Sequence, residues 1–195
     1  MIRVGVLGGI GSGKTFVAKL FSYPVFNADR EVKFLYKNSR ECFSKLKKKL
    51  PNFVKSFPIK KSELLKAIDY DKKNLIKISS VVHPFVRKKM KIFLKKNIKK
   101  KMVILDIPLL IENNLNKKDD ILIFVRTKKS KVLSRLKERP NFNSKVLKNL
   151  RENQLFLTKK RKLANYIIDN NFSPNIMKNK IKLLKQKIIY ERNST

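Results

Sequence analysis

The 195-residue sequence contains one cysteine, Cys42, one histidine, His83, and no tryptophan. A lone cysteine closes no internal disulfide, so nothing points to an oxidising compartment. No run approaches the ~20 consecutive apolar residues of a membrane span, and Met1 to Leu7 is too short an apolar run for a signal peptide. The expectation is a soluble, cytoplasmic protein with no membrane partner. Only five glycines are present, and Gly5, Gly8, Gly9, Gly11 and Gly13 all fall within nine residues. A chain this poor in glycine keeps it where the backbone must turn sharply or approach a ligand. Against these scarcities, 42% of residues are hydrophobic and 13 are Phe, enough to bury one sizeable core.

Acidic residues are scarce too: 14 Asp and Glu face 49 Lys and Arg, for a net charge of +35. Basic surfaces attract nucleic acid and anionic membranes. Here the cations are 39 Lys and only ten Arg, spread along the whole chain. Planar recognition of bases and phosphates favours Arg. The excess reads as drift toward AT-coded residues, and no specific nucleic-acid partner is expected.

Short apolar runs alternate with helical patterns, which indicates an α/β parallel sheet. Strands are expected at Ile2 to Leu7, Val25-Phe26, Met102 to Ile107, Ile121 to Val125 and Tyr166 to Ile168. From Ala28 to about Lys101 the apolar spacing is helical throughout, with Ser62 a plausible N-cap. Thr127 can cap the helix after the fourth strand. Ser173-Pro174 opens the last helix, with proline at its first position.

Gly8-Gly9-Ile10-Gly11-Ser12-Gly13-Lys14-Thr15 matches Gly-x4-Gly-Lys-[Ser/Thr] between a strand and a helix, the context that confirms a phosphate-binding loop. Backbone N–H groups freed by glycine ring a phosphate, and the helix adds its positive dipole end. Lys14 reaches the β- and γ-phosphates, and the Thr15 hydroxyl is placed for Mg²⁺. The loop alone indicates a nucleoside triphosphate. The chain lacks Asn-Lys-x-Asp and is short for a motor, so a small-molecule kinase fits best.

Other residues carry two readings each. Asp29 sits at the carboxyl end of the second strand, as an acceptor-activating acid or as a helix N-cap. Asp106 ends an apolar run as a Walker-B acid does, or caps the turn before Pro108. Arg135 and Arg139 end a helix, where the dipole favours cations, and can serve as lid arginines. His83-Pro84 is a helix-breaking turn or a ligand contact.

Taken together, the glycine loop, Asn27-Ala28-Asp29, His83-Pro84, Pro108-Leu109-Leu110-Ile111-Glu112, Arg139 with Gln154, and Ile168-Asp169-Asn170 resemble the dephospho-CoA kinase family along essentially the whole chain. The resemblance implies transfer of the ATP γ-phosphate to the ribose 3′-hydroxyl of dephospho-CoA. It implies a five-stranded parallel P-loop kinase fold in one domain: a core of residues 1–29, 102–138 and 163–195, a helical CoA-binding region of 30–101 and a lid of 139–162. It assigns Asp29 as catalytic base, Lys14 and Arg139 as catalytic cations and Thr15 to the metal, to which Asp106 is added as the Walker-B-like acid. ATP is assigned to Gly9, Gly11, Ser12, Gly13, Lys14, Thr15, Phe16 and Asn170, with Mg²⁺. The acceptor is assigned to Asp29, His83, Pro108, Leu109 and Glu112. Oligomeric state is not indicated. The family usually has Thr or Ser at Leu7, Asp at Asn27 and Asp at Asn165, and an Arg after Gln154 where Lys160 or Arg161 stands here.

Overall fold

The computed structural model describes residues 1–138 and 155–194. Two compact units form: Met1–Phe26 with Lys99–Thr195, and Asn27–Ile98. None of the described helices is long and apolar enough to cross a membrane.

The first unit is built on five strands: β1 (Ile2–Leu7), β2 (Val25–Asn27), β3 (Met102–Asp106), β4 (Ile121–Arg126) and β5 (Tyr166–Asp169). Their order is β2-β3-β1-β4-β5, with β1 parallel to β3 and β4, and β4 parallel to β5. Pro24 accepts from the Ile104 amide at 2.9 Å, which ties the start of β2 to β3. Every residue of β3 is buried, the expected state of an uninterrupted apolar strand covered on both faces. At the opposite edge β5 leaves Ile167 exposed.

Side chains alternate across the sheet. Val4, Val6, Ile104 and Ile123 face a core shared with Val17, Ala18 and Phe21, and with Met177, Ile181 and Ile188. These come from α1 (Lys14–Leu20) and its C-cap, and from α8 (Pro174–Asn193). Gly5 faces the other way. A Cβ there would overlap Leu110 Cδ2 and lie 2.9 Å from Leu122 Cδ2, so Gly5 serves close packing of the sheet rather than a turn or ligand approach. Two short helices complete the described part of this unit: α6 (Lys129–Lys137) after β4 and α7 (Leu157–Lys162) before β5.

The second unit is helical: α2 (Ala28–Asn38), α3 (Arg40–Lys49), α4 (Lys61–Tyr70) and α5 (Lys73–Lys96). Helix α5 packs against the other three. Its Ile78, Val81, Val82, Val86 and Met90 are buried, as are Leu35, Cys42, Leu46, Leu64 and Ala67 on its neighbours. Three local expectations change. Helix α4 begins at Lys61, with Lys60 at the cap position and no side-chain cap bond, so Ser62 lies inside the helix. His83-Pro84 does not break α5, which runs through Pro84. Proline removes one backbone bond there, and the buried stripe on either side holds the helix together. At the head of α2 the cap is Asn27, whose Oδ1 accepts from the Arg30 amide at 2.7 Å, and Asp29 falls in the first turn.

Candidate active site

β1 delivers the chain into the phosphate loop at its carboxyl end, where ligands bind in open parallel sheets. Gly11 and Gly13 have φ of 79° and 87°, backbone that L side chains rarely adopt. The Gly13 carbonyl then accepts from Val17 at 3.0 Å and starts α1. Two distant residues brace the loop: Thr127 Oγ1 donates to the Ser12 carbonyl at 3.0 Å, and Asn170 Nδ2 donates to the same oxygen at 2.8 Å. That carbonyl is engaged from both segments, and a glycine-rich loop of this kind presents backbone amides that can ring an anion. Ser12 Oγ is buried and lacks a hydrogen-bond partner among the described residues. The Lys14 ammonium folds over the loop and donates to the Gly8 and Gly9 carbonyls at 3.1 and 2.8 Å.

Thr15 and Asp106 meet here although 91 residues separate them: Thr15 Oγ1 donates to Asp106 Oδ2 at 2.6 Å. Asp106 is buried, and its position at the end of β3 brings it to the first turn of α1. Phe16 turns its ring toward the core. Asn170 follows β5 and is buried. Besides its bond to Ser12 it accepts from the Phe172 amide at 2.9 Å. Arg126 clips β5 to β4 through Asp169, at 2.5 and 2.6 Å, and that hydrogen-bonded pair holds the Asp169 carboxyl below its usual range.

Pro108, Leu109 and Glu112 lie in the turn that follows β3, with Leu110 fully buried between them. Glu112 Oε1 pairs with Lys160 Nζ at 2.6 Å and accepts from the Leu155 amide at 3.1 Å. In the helical unit Asp29 is exposed, and His83 is half-buried. Burial first, and then the Arg87 charge, push the His83 pKa down. Arg139 and Gln154 lie outside the described residues.

The roles of four contributors escaped the sequence reading. Thr127 was expected as a helix cap, but Lys128 takes the cap position and the Thr127 hydroxyl serves the loop. Phe172 stands at φ 65° with the Arg135 guanidinium 4.2 Å from its ring centroid, so Arg135 stacks beside the loop. Leu157 lies 3.5 Å from where a Gly9 Cβ would be. Lys160 is buried in a run of four cations that have no distinguishing pattern.

A braced phosphate loop, a lysine over it and a hydroxyl–carboxylate pair beside it are the kinds of parts that phosphoryl transfer uses. The dephospho-CoA kinase family model matches residues 2–175. The dephospho-CoA kinase of the Wolbachia of Brugia malayi is 34% identical over 176 residues, 87% of this chain and 89% of the relative. That of Wolbachia pipientis wMel is 33% identical over 185 residues, 92% of this chain and 94% of the relative. A solved Thermus thermophilus protein superposes with a TM-score of 0.77 at 25% identity, over 95% of this chain and 97% of that one. Dephospho-CoA kinase from Campylobacter jejuni has the same fold, with a TM-score of 0.66 at 20% identity over 97% and 98% of the two chains. The family match over residues 2–175 agrees with the loop architecture: the chain belongs to the dephospho-CoA kinases, ATP-dependent enzymes of the last step of coenzyme A synthesis.

Proposed function

We propose that this chain transfers the γ-phosphoryl group of ATP to the ribose 3′-hydroxyl of dephospho-CoA, with the loop of Gly9 to Thr15 holding the triphosphate. A bond forms between the 3′-oxygen and the γ-phosphorus as the bond to the β-phosphate oxygen breaks, and ADP leaves. Asp29 accepts the hydroxyl proton. Asn27, not Asp29, caps α2, and a carboxylate at Asp29 can take up the hydroxyl proton as the new bond forms. Lys14 and Arg139 neutralise charge on the transferred group.

The observation that carries the reading is the Thr15–Asp106 contact of 2.6 Å beside the phosphate loop. A hydroxyl and a carboxylate are the hard oxygens Mg²⁺ uses together with substrate phosphates. Bound there, Mg²⁺ would neutralise phosphate charge. His83, Pro108, Leu109 and Glu112 are assigned to the acceptor.

The test is a coupled assay of ADP release with dephospho-CoA, shikimate or a nucleoside as acceptor, with and without Mg²⁺. Release that depends on dephospho-CoA and Mg²⁺ is expected. Release with another acceptor alone overturns the assignment. Asp29→Asn is expected to lower kcat by about a hundredfold or more, with nucleotide affinity unchanged. A near-normal kcat would move the base role to Asp106.

A further inference from the structure

The Glu112–Lys160 pair has features that packing alone does not explain. Of the four consecutive cations Lys159, Lys160, Arg161 and Lys162, only Lys160 is turned inward, at 1% exposure. Its Nζ and the Leu155 amide both engage Glu112 Oε1, at 2.6 and 3.1 Å. The other oxygen, Oε2, is buried with no hydrogen-bond partner among the described residues. Taking two charges out of water is expensive, and two apolar side chains would fill such a site at least as stably. A buried carboxylate oxygen left without a donor adds to that cost.

We infer that Lys160 is a positioning residue that fixes the Glu112 carboxylate, so that Oε2 accepts a hydrogen bond from an O–H or N–H group of the acceptor substrate. The inference rests on the kinase reading above. Placement supports it from both ends. Glu112 lies in the turn after β3, six residues beyond Asp106, which meets Thr15. Lys160 lies on α7, whose Leu157 packs beside Gly9 of the phosphate loop. The pair therefore joins the turn after β3 to the segment flanking the loop. The triphosphate has partners of its own in Lys14, Thr15 and the loop amides, whereas Glu112 is assigned above to the acceptor. The loop is braced from the other side of β1, by Thr127 after β4 and Asn170 after β5. A neutral O–H or N–H group of the acceptor can donate to Oε2 without charge repulsion.

The experiment measures KM for dephospho-CoA and for ATP, kcat and thermal midpoint for wild type and four variants. Lys160→Met and Glu112→Gln are expected to raise KM for dephospho-CoA at least tenfold and to leave KM for ATP within twofold. Lys160→Arg should stay within threefold of wild type for both substrates. The double variant Glu112→Met/Lys160→Met exchanges the ion pair for two apolar side chains. It should regain the wild-type midpoint yet keep the raised acceptor KM, which separates recognition from folding. A double variant with wild-type acceptor KM, or an equal rise in both KM values, overturns the inference while the kinase reading stands. A wild-type chain that does not turn over dephospho-CoA overturns both.

Discussion

Replacing Gly13 by alanine tests how the phosphate loop is built. Gly13 has φ 87°, and a Cβ there would overlap Asn170 Nδ2 and come 2.9 Å from Phe172 Cε1. Forcing an L side chain into left-handed backbone costs about 1–2 kcal/mol. Pushing Asn170 aside also breaks its buried bond to the Ser12 carbonyl, now 2.8 Å long, and an orphaned buried group costs about 1–3 kcal/mol. The sum is about 2–5 kcal/mol. For a chain of this size each kcal/mol moves the thermal midpoint by about 2–4 °C, so a fall of roughly 4–20 °C is expected. Differential scanning calorimetry reads the stability, and titration with a non-hydrolysable ATP analogue reads the cradle, which should weaken in parallel. The mechanism is tested by repeating the change in an Asn170→Ala background. With the clash removed, only the backbone cost of about 1–2 kcal/mol should remain. Strictly additive costs in this cycle would refute the Asn170 contact as the cause.

Three further outcomes are expected. Lys14→Ala should leave the thermal midpoint nearly unchanged but reduce turnover by orders of magnitude; turnover within about threefold of wild type, under about 0.7 kcal/mol in the barrier, would contradict the role of the loop. Cys42 is fully buried, and burial followed by the Glu41 charge pushes its thiol up to about 11, so iodoacetamide at pH 8 should label it only after unfolding; labelling of the native protein would show the α3–α5 packing to be open. The His83 pKa is lowered in the folded chain, so the unfolded chain binds that proton first as pH falls. The stability from keeping His83 neutral is therefore present above about pH 6.5 and lost progressively below it. His83→Gln should flatten the denaturation midpoint between pH 5 and 7, and an unchanged slope would exclude His83 as its source.

The phosphate loop was legible because its requirements are local. Positive φ, inward amides, a lysine and a hydroxyl are all specified within eight consecutive residues, Gly8 to Thr15. The central strands were legible for a related reason: a strand buried on both faces is apolar almost throughout, and β3 and β4 announce themselves as Met102 to Ile107, interrupted only by Asp106, and Ile121 to Val125. The helical unit followed from the 3.6-residue spacing of its buried stripe.

What the tertiary structure decided concerns residues whose roles depend on partners far along the chain. Gly5 reads like the loop glycines, and only Leu110 and Leu122 packing across β1 make it a packing residue. Thr127 looks like a helix cap until the order β1-β4 brings it to Ser12, 115 residues away. Asp29 was the cap candidate in sequence, and the backbone at the head of α2 gave that place to Asn27. Lys160 is chemically identical to Lys159 and Lys162. Nothing local marks it for burial, because the ion pair that defines it is with Glu112, on the other side of β4 in the sequence. Local geometry is encoded in adjacent residues, whereas the identity of a buried partner exists only once the sheet order has brought distant segments together.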